Sequence, residues 1–116
     1  QMTNQEFAIL HENGLNVKFV LLNNGSLGMV RQWQERFHNE RRSSSVFEKQ
    51  PDFVKLSEAY GVDAVRISDP ATLDSELEAA FAKEGPMLIE VVISTTEQVM
   101  PMVPAGIPNE QMIGVE

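Results

Sequence analysis

The run Asn23-Asn24-Gly25-Ser26-Leu27-Gly28-Met29 is the stretch of this chain best equipped for chemistry. It follows an apolar run at residues 16–22 and precedes a segment whose apolar positions recur every three or four places, so it reads as a turn from strand into helix. In open α/β sheets ligands bind at such turns, beyond the C-terminal ends of the strands. Gly25 and Gly28 let the backbone come close to a ligand, and the N–H groups of a helix start attract phosphate. Asn24 offers a neutral side-chain oxygen, the donor type preferred by Mg²⁺, a hard cation that commonly bridges to phosphates. The same residues also make an ordinary turn, because Asn-Gly pairs are common where nothing binds. Met29 and Trp33 fall on one helical face, a pattern that serves a core as readily as a site.

No other cluster competes with this turn. His11 and His38 are isolated, with no second ligand at a metal-binding spacing, and read as surface histidines. No Ser-His-Asp arrangement, P-loop or dinucleotide fingerprint is present, and no residue is singled out as catalytic. Arg36, Arg41 and Arg42 are interleaved with Glu35, Glu40 and Glu48, which describes a solvated surface better than a polyanion site. Glu76, Glu78 and Glu84 read as the wet face of a helix.

The elements that must position the turn are legible as alternating helices and short apolar strands. Thr3 and Glu6 have the spacing of a capping box, opening a helix that reaches about to Glu12 and stops at Gly14. Residues 16–22 (NVKFVLL) suit a strand buried on both faces of a parallel sheet. A second helix is expected from Leu27 to about His38, with Leu27, Met29, Val30, Trp33 and Phe37 as its apolar positions, followed by a polar, mobile surface loop at residues 41–50. A third helix spans residues 52–60 and stops at Gly61, a strand covers 62–67, and Asp69-Pro70 starts a helix running to Gly85. Residues 87–93 (MLIEVVI) form the last strand. This order indicates an α/β fold, an open parallel sheet flanked by helices in three α/β/α layers.

Composition narrows the function classes. A chain of 116 residues that is 42% apolar can build one core. A net charge of −8 argues against nucleic acid as a partner, and no run approaches the roughly 20 apolar residues of a membrane span, so no membrane association is expected. The absence of cysteine excludes disulfides and a thiol nucleophile, and fits a reducing, cytoplasmic setting. The stretch 101–108 (PMVPAGIP) carries three prolines and cannot be a regular helix or central strand. It is expected to be an extended tail, lying either on its own domain or against another domain or subunit.

At Asn23-Asn24-Gly25-Ser26-Leu27-Gly28-Met29-Val30-Arg31-Gln32-Trp33 the sequence resembles the second half of the thiamine diphosphate motif as acetolactate synthases write it. Asn4-Gln5-Glu6, Pro51-Asp52-Phe53-Val54-Lys55-Leu56, Ala59-Tyr60-Gly61 and Val99-Met100-Pro101-Met102-Val103-Pro104-Ala105-Gly106 carry the resemblance along essentially the whole chain. It implies that residues 1–116 are the C-terminal part of one thiamine-diphosphate-binding domain, with 94–116 as its tail. It also implies that Asn24 supplies a side-chain oxygen and Ser26 a backbone carbonyl to Mg²⁺, while Gly25, Leu27, Gly28 and Met29 complete the cofactor contact. By the same resemblance Val30 and Trp33 border the substrate pocket, and the tail around Ala105 folds over it.

The family opens this motif with Gly-Asp-Gly, so a metal-binding aspartate is expected upstream of Gln1, together with a domain whose glutamate activates the cofactor and one that holds FAD. Residues 1–116 alone are then expected to be inactive. The activity implied for the intact enzyme is decarboxylation of pyruvate and transfer of the two-carbon unit to a second pyruvate or to 2-ketobutyrate. The partners implied are further copies, in a homodimer or tetramer, and a regulatory small subunit. Pyruvate oxidases and sulfoacetaldehyde acetyltransferases share the asparagine motif and are the nearest rivals. A non-catalytic binding module is a rival of a different class.

Overall fold

A computed structural model describes residues 2–115. It divides into two compact units: one comprises the chain up to Asn24 together with residues 48–94, the other residues 25–47 together with the chain from Thr95. The described elements are α1 (Phe7–Glu12), β1 (Lys18–Asn23), α2 (Gly28–Phe37), α3 (Phe53–Ala59), β2 (Asp63–Ile67), α4 (Leu73–Ala82) and β3 (Met87–Val92), with 3₁₀ turns at Asn4–Glu6 and Asn109–Gln111.

The first unit holds a three-stranded parallel sheet in the order β1-β3-β2, so the α/β class read from alternating elements is the one found. The shared register Val20–Ile89–Val65 places one residue of each strand at the same level and on the same face. On that face Ile67, Ala80, Met87 and Ile89 form the core, and Val65, Leu73, Leu77 and Val91 pack against them, so α4 closes one side of β2 and β3. On the other face Phe7 of α1 meets Phe19 edge-on at 5.3 Å and Tyr60 at 6.3 Å, joining the first helix to β1 and the end of α3. Each such aromatic pair adds roughly 1 kcal/mol beyond its burial.

The sheet corrects one expectation. Residues 16–22 read as a strand buried on both faces, but among the described residues β1 borders the three-stranded sheet, with Val20 half exposed and Leu22 62% exposed. The central strand is β3, where Met87, Leu88, Ile89 and Glu90 are all buried. Continuous apolarity signals a strand in a parallel sheet but does not say which strand takes the middle.

Helix ends depart from their sequence signals in three places. Thr3 accepts the Glu6 N–H through its backbone carbonyl at 3.1 Å, and its side chain makes no cap. Asp69 accepts the Ala71 N–H at 2.9 Å in a turn, which delays α4 to Leu73 with Thr72 at its N-cap. The capping-box spacing and the Asp-Pro pair mark where a helix approaches; a turn that already holds the same N–H groups shifts the start. Asp52, which the spacing placed within the third helix, is instead the N-cap of α3, accepting from the Lys55 N–H at 3.4 Å.

Gly61 ends α3 with φ +75°, and a Cβ there would lie 2.7 Å from the imidazole of His11. Gly61→Ala is expected to lower stability by about 2 kcal/mol, since a non-glycine residue in this region costs roughly 1–2 kcal/mol and the ring must also move. Thermal denaturation checks it, and an unchanged midpoint would show that neither cost is felt. No helix among the described residues is long and apolar enough to cross a membrane.

Candidate functional site

The expected binding turn begins where β1 ends. The three parallel strands finish at Asn23, Ile67 and Val92, so the turn leaves the C-terminal edge of the sheet, where open α/β sheets take their ligands. Asn24 is the last residue of the first unit's opening segment, and Gly25 through Trp33 belong to the second unit. Gly25 adopts φ +69°, while a Cβ there would be 3.9 Å from Thr95. The backbone conformation, rather than lack of space, is therefore what favours glycine. Ser26 forms an antiparallel bridge with Val46, flanked by bonds from Leu27 N–H to Ser45 O at 2.8 Å and from Phe47 N–H to Gly25 O at 3.0 Å.

Leu27 is the N-cap of α2 and provides no side-chain cap. The first intrahelical bond runs from Arg31 N–H to the Leu27 carbonyl at 2.9 Å, so the helix itself does not satisfy the N–H groups of Gly28, Met29 and Val30. Three N–H groups at the positive end of a ten-residue helix, beside a glycine turn, are the donor set a diphosphate needs. The Asn24 amide and the Ser26 carbonyl are neutral oxygens, and no group of three or more His, Cys, Asp or Glu that could hold a metal occurs among the described residues. Each of these two is the kind of oxygen a hard cation accepts, one in the first unit and one in the second.

The packing of α2 reverses the usual pattern of a surface helix. Arg31 and Gln32 are buried, at 4% and 1% exposure, whereas Met29 and Val30 are nearly half exposed. Trp33 is half-buried and packs on Phe37 with ring centroids 5.2 Å apart. The apolar residues singled out in the sequence therefore do not fill the core of their unit; Met29, Val30 and Phe37 present a greasy outer face. What holds the helix from within is polar. Gln32 donates to the Val99 carbonyl at 3.0 Å and to Met102 Sδ at 3.0 Å, and accepts the Val99 N–H at 2.8 Å.

Arg31 donates to the Glu97 carbonyl at 2.8 Å and to Ser26 Oγ at 3.4 Å. Its Nε lies 3.4 Å from Glu35 Oε1, an ion-pair distance, but without hydrogen-bond geometry, so that buried N–H has no acceptor among the described residues. The tail is thus gripped by main-chain bonds to buried side chains, and it doubles back through paired bonds between Met102 and Ile113 at 2.8 and 3.0 Å.

Residues 41–50 are mostly exposed, as a surface loop should be, but two of their serines are bonded to α2. Gln34 accepts from Ser43 N–H and Ser45 Oγ and donates to the Ser43 carbonyl, leaving Ser45 fully buried. Serine content suggested a solvated loop, but serine is small enough to be buried once its hydroxyl has an acceptor.

A polar network missed in the sequence crosses the first unit at the end of β1. Glu90 of the central strand is 2% exposed; its Oε1 accepts from Asn23 Nδ2 at 2.7 Å and its Oε2 from Arg66 Nε at 2.7 Å. Arg66 Nη2 donates on to Asp52 Oδ1 at 2.9 Å. The signal was present: Glu90 is the one charged residue in the run MLIEVVI, and a carboxylate in a buried strand needs partners. Glu90 chiefly raises the Arg66 pKa through its hydrogen bond, against the opposing effect of burial.

Burial opposes ionisation of Asp52, but the Lys55 N–H and the Arg66 guanidinium together hold its carboxyl below the ordinary value. A depressed carboxyl stabilises the fold above its unfolded pKa, and that contribution fades as pH falls through the folded one. Asp52→Asn is accordingly expected to be less stable than wild type near neutrality. The two should converge at pH values below about 4, the ordinary carboxylate range. Denaturant midpoints measured from pH 2 to 7 check this, and a constant gap across the range would contradict it.

A cavity of about 530 Å³ in the first unit, lined by Phe7, Phe19, Phe53, Leu56 and Leu88 among others, includes none of the turn residues. Its lining converges few polar groups, so the chemistry is better sought at the turn than in this larger space.

Comparison with known proteins gives the turn its context. Residues 1–91 match the family described as thiamine pyrophosphate enzyme, C-terminal TPP binding domain. The acetolactate synthase large subunit of Lactococcus lactis is 54% identical over 115 residues, which cover 99% of this chain and 20% of that protein. Those of Parasynechococcus marenigrum and Cyanidium caldarium are 44% and 38% identical, over 98% and 99% of this chain and 19% and 20% of theirs. The chain therefore spans about one fifth of the length of these relatives. Among solved structures, the thiamine diphosphate-dependent 4-hydroxybenzoylformate decarboxylase of Rhodococcus jostii matches with a TM-score of 0.69 and 25% identity, over 78% of this chain and 17% of that one. With a parallel α/β sheet whose first strand ends in an anion-ready turn, and with the family match running over most of its length, the chain belongs to the thiamine pyrophosphate enzymes as a C-terminal TPP-binding domain.

Proposed function

We propose that this chain is the cofactor-holding part of an acetolactate synthase large subunit, which decarboxylates pyruvate and joins the two-carbon unit to pyruvate or 2-ketobutyrate in branched-chain amino acid biosynthesis. The observation that carries the reading is the start of α2. Its three N–H groups are unsatisfied by the helix, and directly beyond them Met29 and Val30 turn an apolar surface outward. An anion site followed at once by exposed apolar side chains suits a phosphate-bearing cofactor whose reacting end meets small keto acids away from water.

In this reading Asn24 Oδ1 and the Ser26 carbonyl hold Mg²⁺, and the backbone from Gly25 to Met29 receives the diphosphate. Val30 and Trp33 shape the space for the second keto acid, where a bulky indole discriminates by volume. Thiamine diphosphate, when bound, supplies the carbanion and the electron sink that the side chains of this domain lack. FAD is assigned to another domain. The exposed apolar residues of α2 and β1 suit burial against further protein, and the setting proposed is a cytoplasmic homodimer or tetramer with a regulatory small subunit.

The test is acetolactate formation from pyruvate by the full-length protein carrying this sequence, with and without thiamine diphosphate and Mg²⁺. Product that requires both supports the reading. A folded protein that binds the cofactor and forms no acetolactate would transfer the assignment to another thiamine-dependent activity.

A further inference from the structure

We propose that Glu90 is a positioning residue for the cofactor turn: through Asn23 it fixes the direction in which the chain leaves β1, and so the orientation of Asn24. The inference rests on the proposed metal role of Asn24. Asn23 is the last residue of β1 and is held twice, by its carbonyl to Ile93 N–H at 3.0 Å and by its side chain to Glu90 Oε1 at 2.7 Å. The residue that follows is Asn24. The carboxylate is fixed from its other side by Arg66 at 2.7 Å, and Arg66 in turn by Asp52 at 2.9 Å. One polar side chain from each strand and one from the N-cap of α3 thus form a chain ending at the last residue of β1, next to Asn24.

Net stability gives little reason for this arrangement. A buried ion pair recovers its desolvation cost only with good geometry, and an apolar set of similar volume would often serve the sheet as well. What the network supplies is direction. Both Glu90 oxygens accept, from donors on opposite strands, so the Asn23 amide has one orientation. With apolar packing at the strand end, the Asn23 side chain would no longer add an anchor to the backbone that leads into Asn24. Partners behind a metal ligand typically govern affinity by about 10–100-fold.

Donor and acceptor can be exchanged to test this. Glu90→Gln keeps the shape but offers only one acceptor to two donors. Adding Asn23→Asp restores the pattern, with the introduced amide donating to the introduced carboxylate and its carbonyl accepting from Arg66. The readout is binding of thiamine diphosphate to the full-length protein by calorimetry at fixed Mg²⁺, and of Mg²⁺ at fixed cofactor, with circular dichroism reporting the fold. Glu90→Gln is expected to weaken both affinities about tenfold, and the double exchange to recover most of the loss.

Unchanged affinities in a folded Glu90→Gln protein that merely melts earlier would reduce the residue to a structural role and overturn the proposal. Tighter binding by Asn23→Asp alone would overturn it too, since charge rather than orientation would then be in control. Should Glu90→Gln not fold, Asn23→Ala carries the same test: weakened binding supports the proposal and unchanged binding overturns it. Asn24→Ala runs alongside. If that variant binds Mg²⁺ normally, the metal reading itself has failed and the inference falls with it, whereas a loss confined to Asn24→Ala overturns the role of Glu90 alone.

Discussion

Asn24→Ala in the full-length protein is expected to weaken Mg²⁺-dependent binding of thiamine diphosphate by at least about 100-fold, since losing a ligand should cost no less than losing a partner behind one, roughly 10–100-fold. The change removes the only side-chain oxygen assigned to the metal within the turn, while the main-chain donors at the start of α2 stay in place. Diphosphate affinity should therefore fall without vanishing, and excess Mg²⁺ should recover part of it. Calorimetric titration of the cofactor at several Mg²⁺ concentrations checks this. An affinity that fell equally with and without metal would instead place Asn24 on the diphosphate or in the support of the turn. Equal binding by variant and wild type would remove Asn24 from the site.

Gln32→Leu is expected to destabilise the second unit by about 3 kcal/mol, because orphaned polar groups cost roughly 1–3 kcal/mol each where water cannot reach them. The substitution keeps volume and adds hydrophobicity, so packing alone would forecast a neutral result. It removes three bonds from a side chain 1% exposed, however, and takes the partner of both the Val99 N–H and the Val99 carbonyl. The side chain of Val99 is exposed, which allows some rehydration and holds the total in the lower half of the roughly 2–6 kcal/mol that two orphaned groups would cost. Amide hydrogen exchange across α2 and residues 97–102 reads the effect as a local loss of protection of about 100-fold. A loss confined to Val99 would mean that the tail is held chiefly by Arg31 and the Met102–Ile113 bonds.

The sequence alone determined the order and class of the elements, because strand and helix declare themselves through local periodicity. The run 87–93 announced β3, and Gly61, with φ +75°, ended α3. The turn proposed to bind was legible for the same reason: glycines and asparagines after an apolar run are a local signal, and Gly25 does take the conformation that glycine permits. The family motif likewise lies within one contiguous stretch.

Other features depend on residues far apart in the chain, and only the tertiary structure decided them. Whether β1 or β3 occupies the middle of the sheet follows from pairing across some 70 positions, so an equally apolar strand could lie at the edge. The reversal of α2 was hidden because periodicity reports two faces without saying which one the protein covers. Burying Arg31 and Gln32 required acceptors at Glu97 and Val99, supplied 66 and 67 residues away. Glu90 stood out as a charge in an apolar strand, but its role needed Asn23 and Arg66 brought to its two oxygens from neighbouring strands. Periodicity is a property of neighbours in sequence; satisfaction of a buried polar group is a property of neighbours in space, and only folding supplies those.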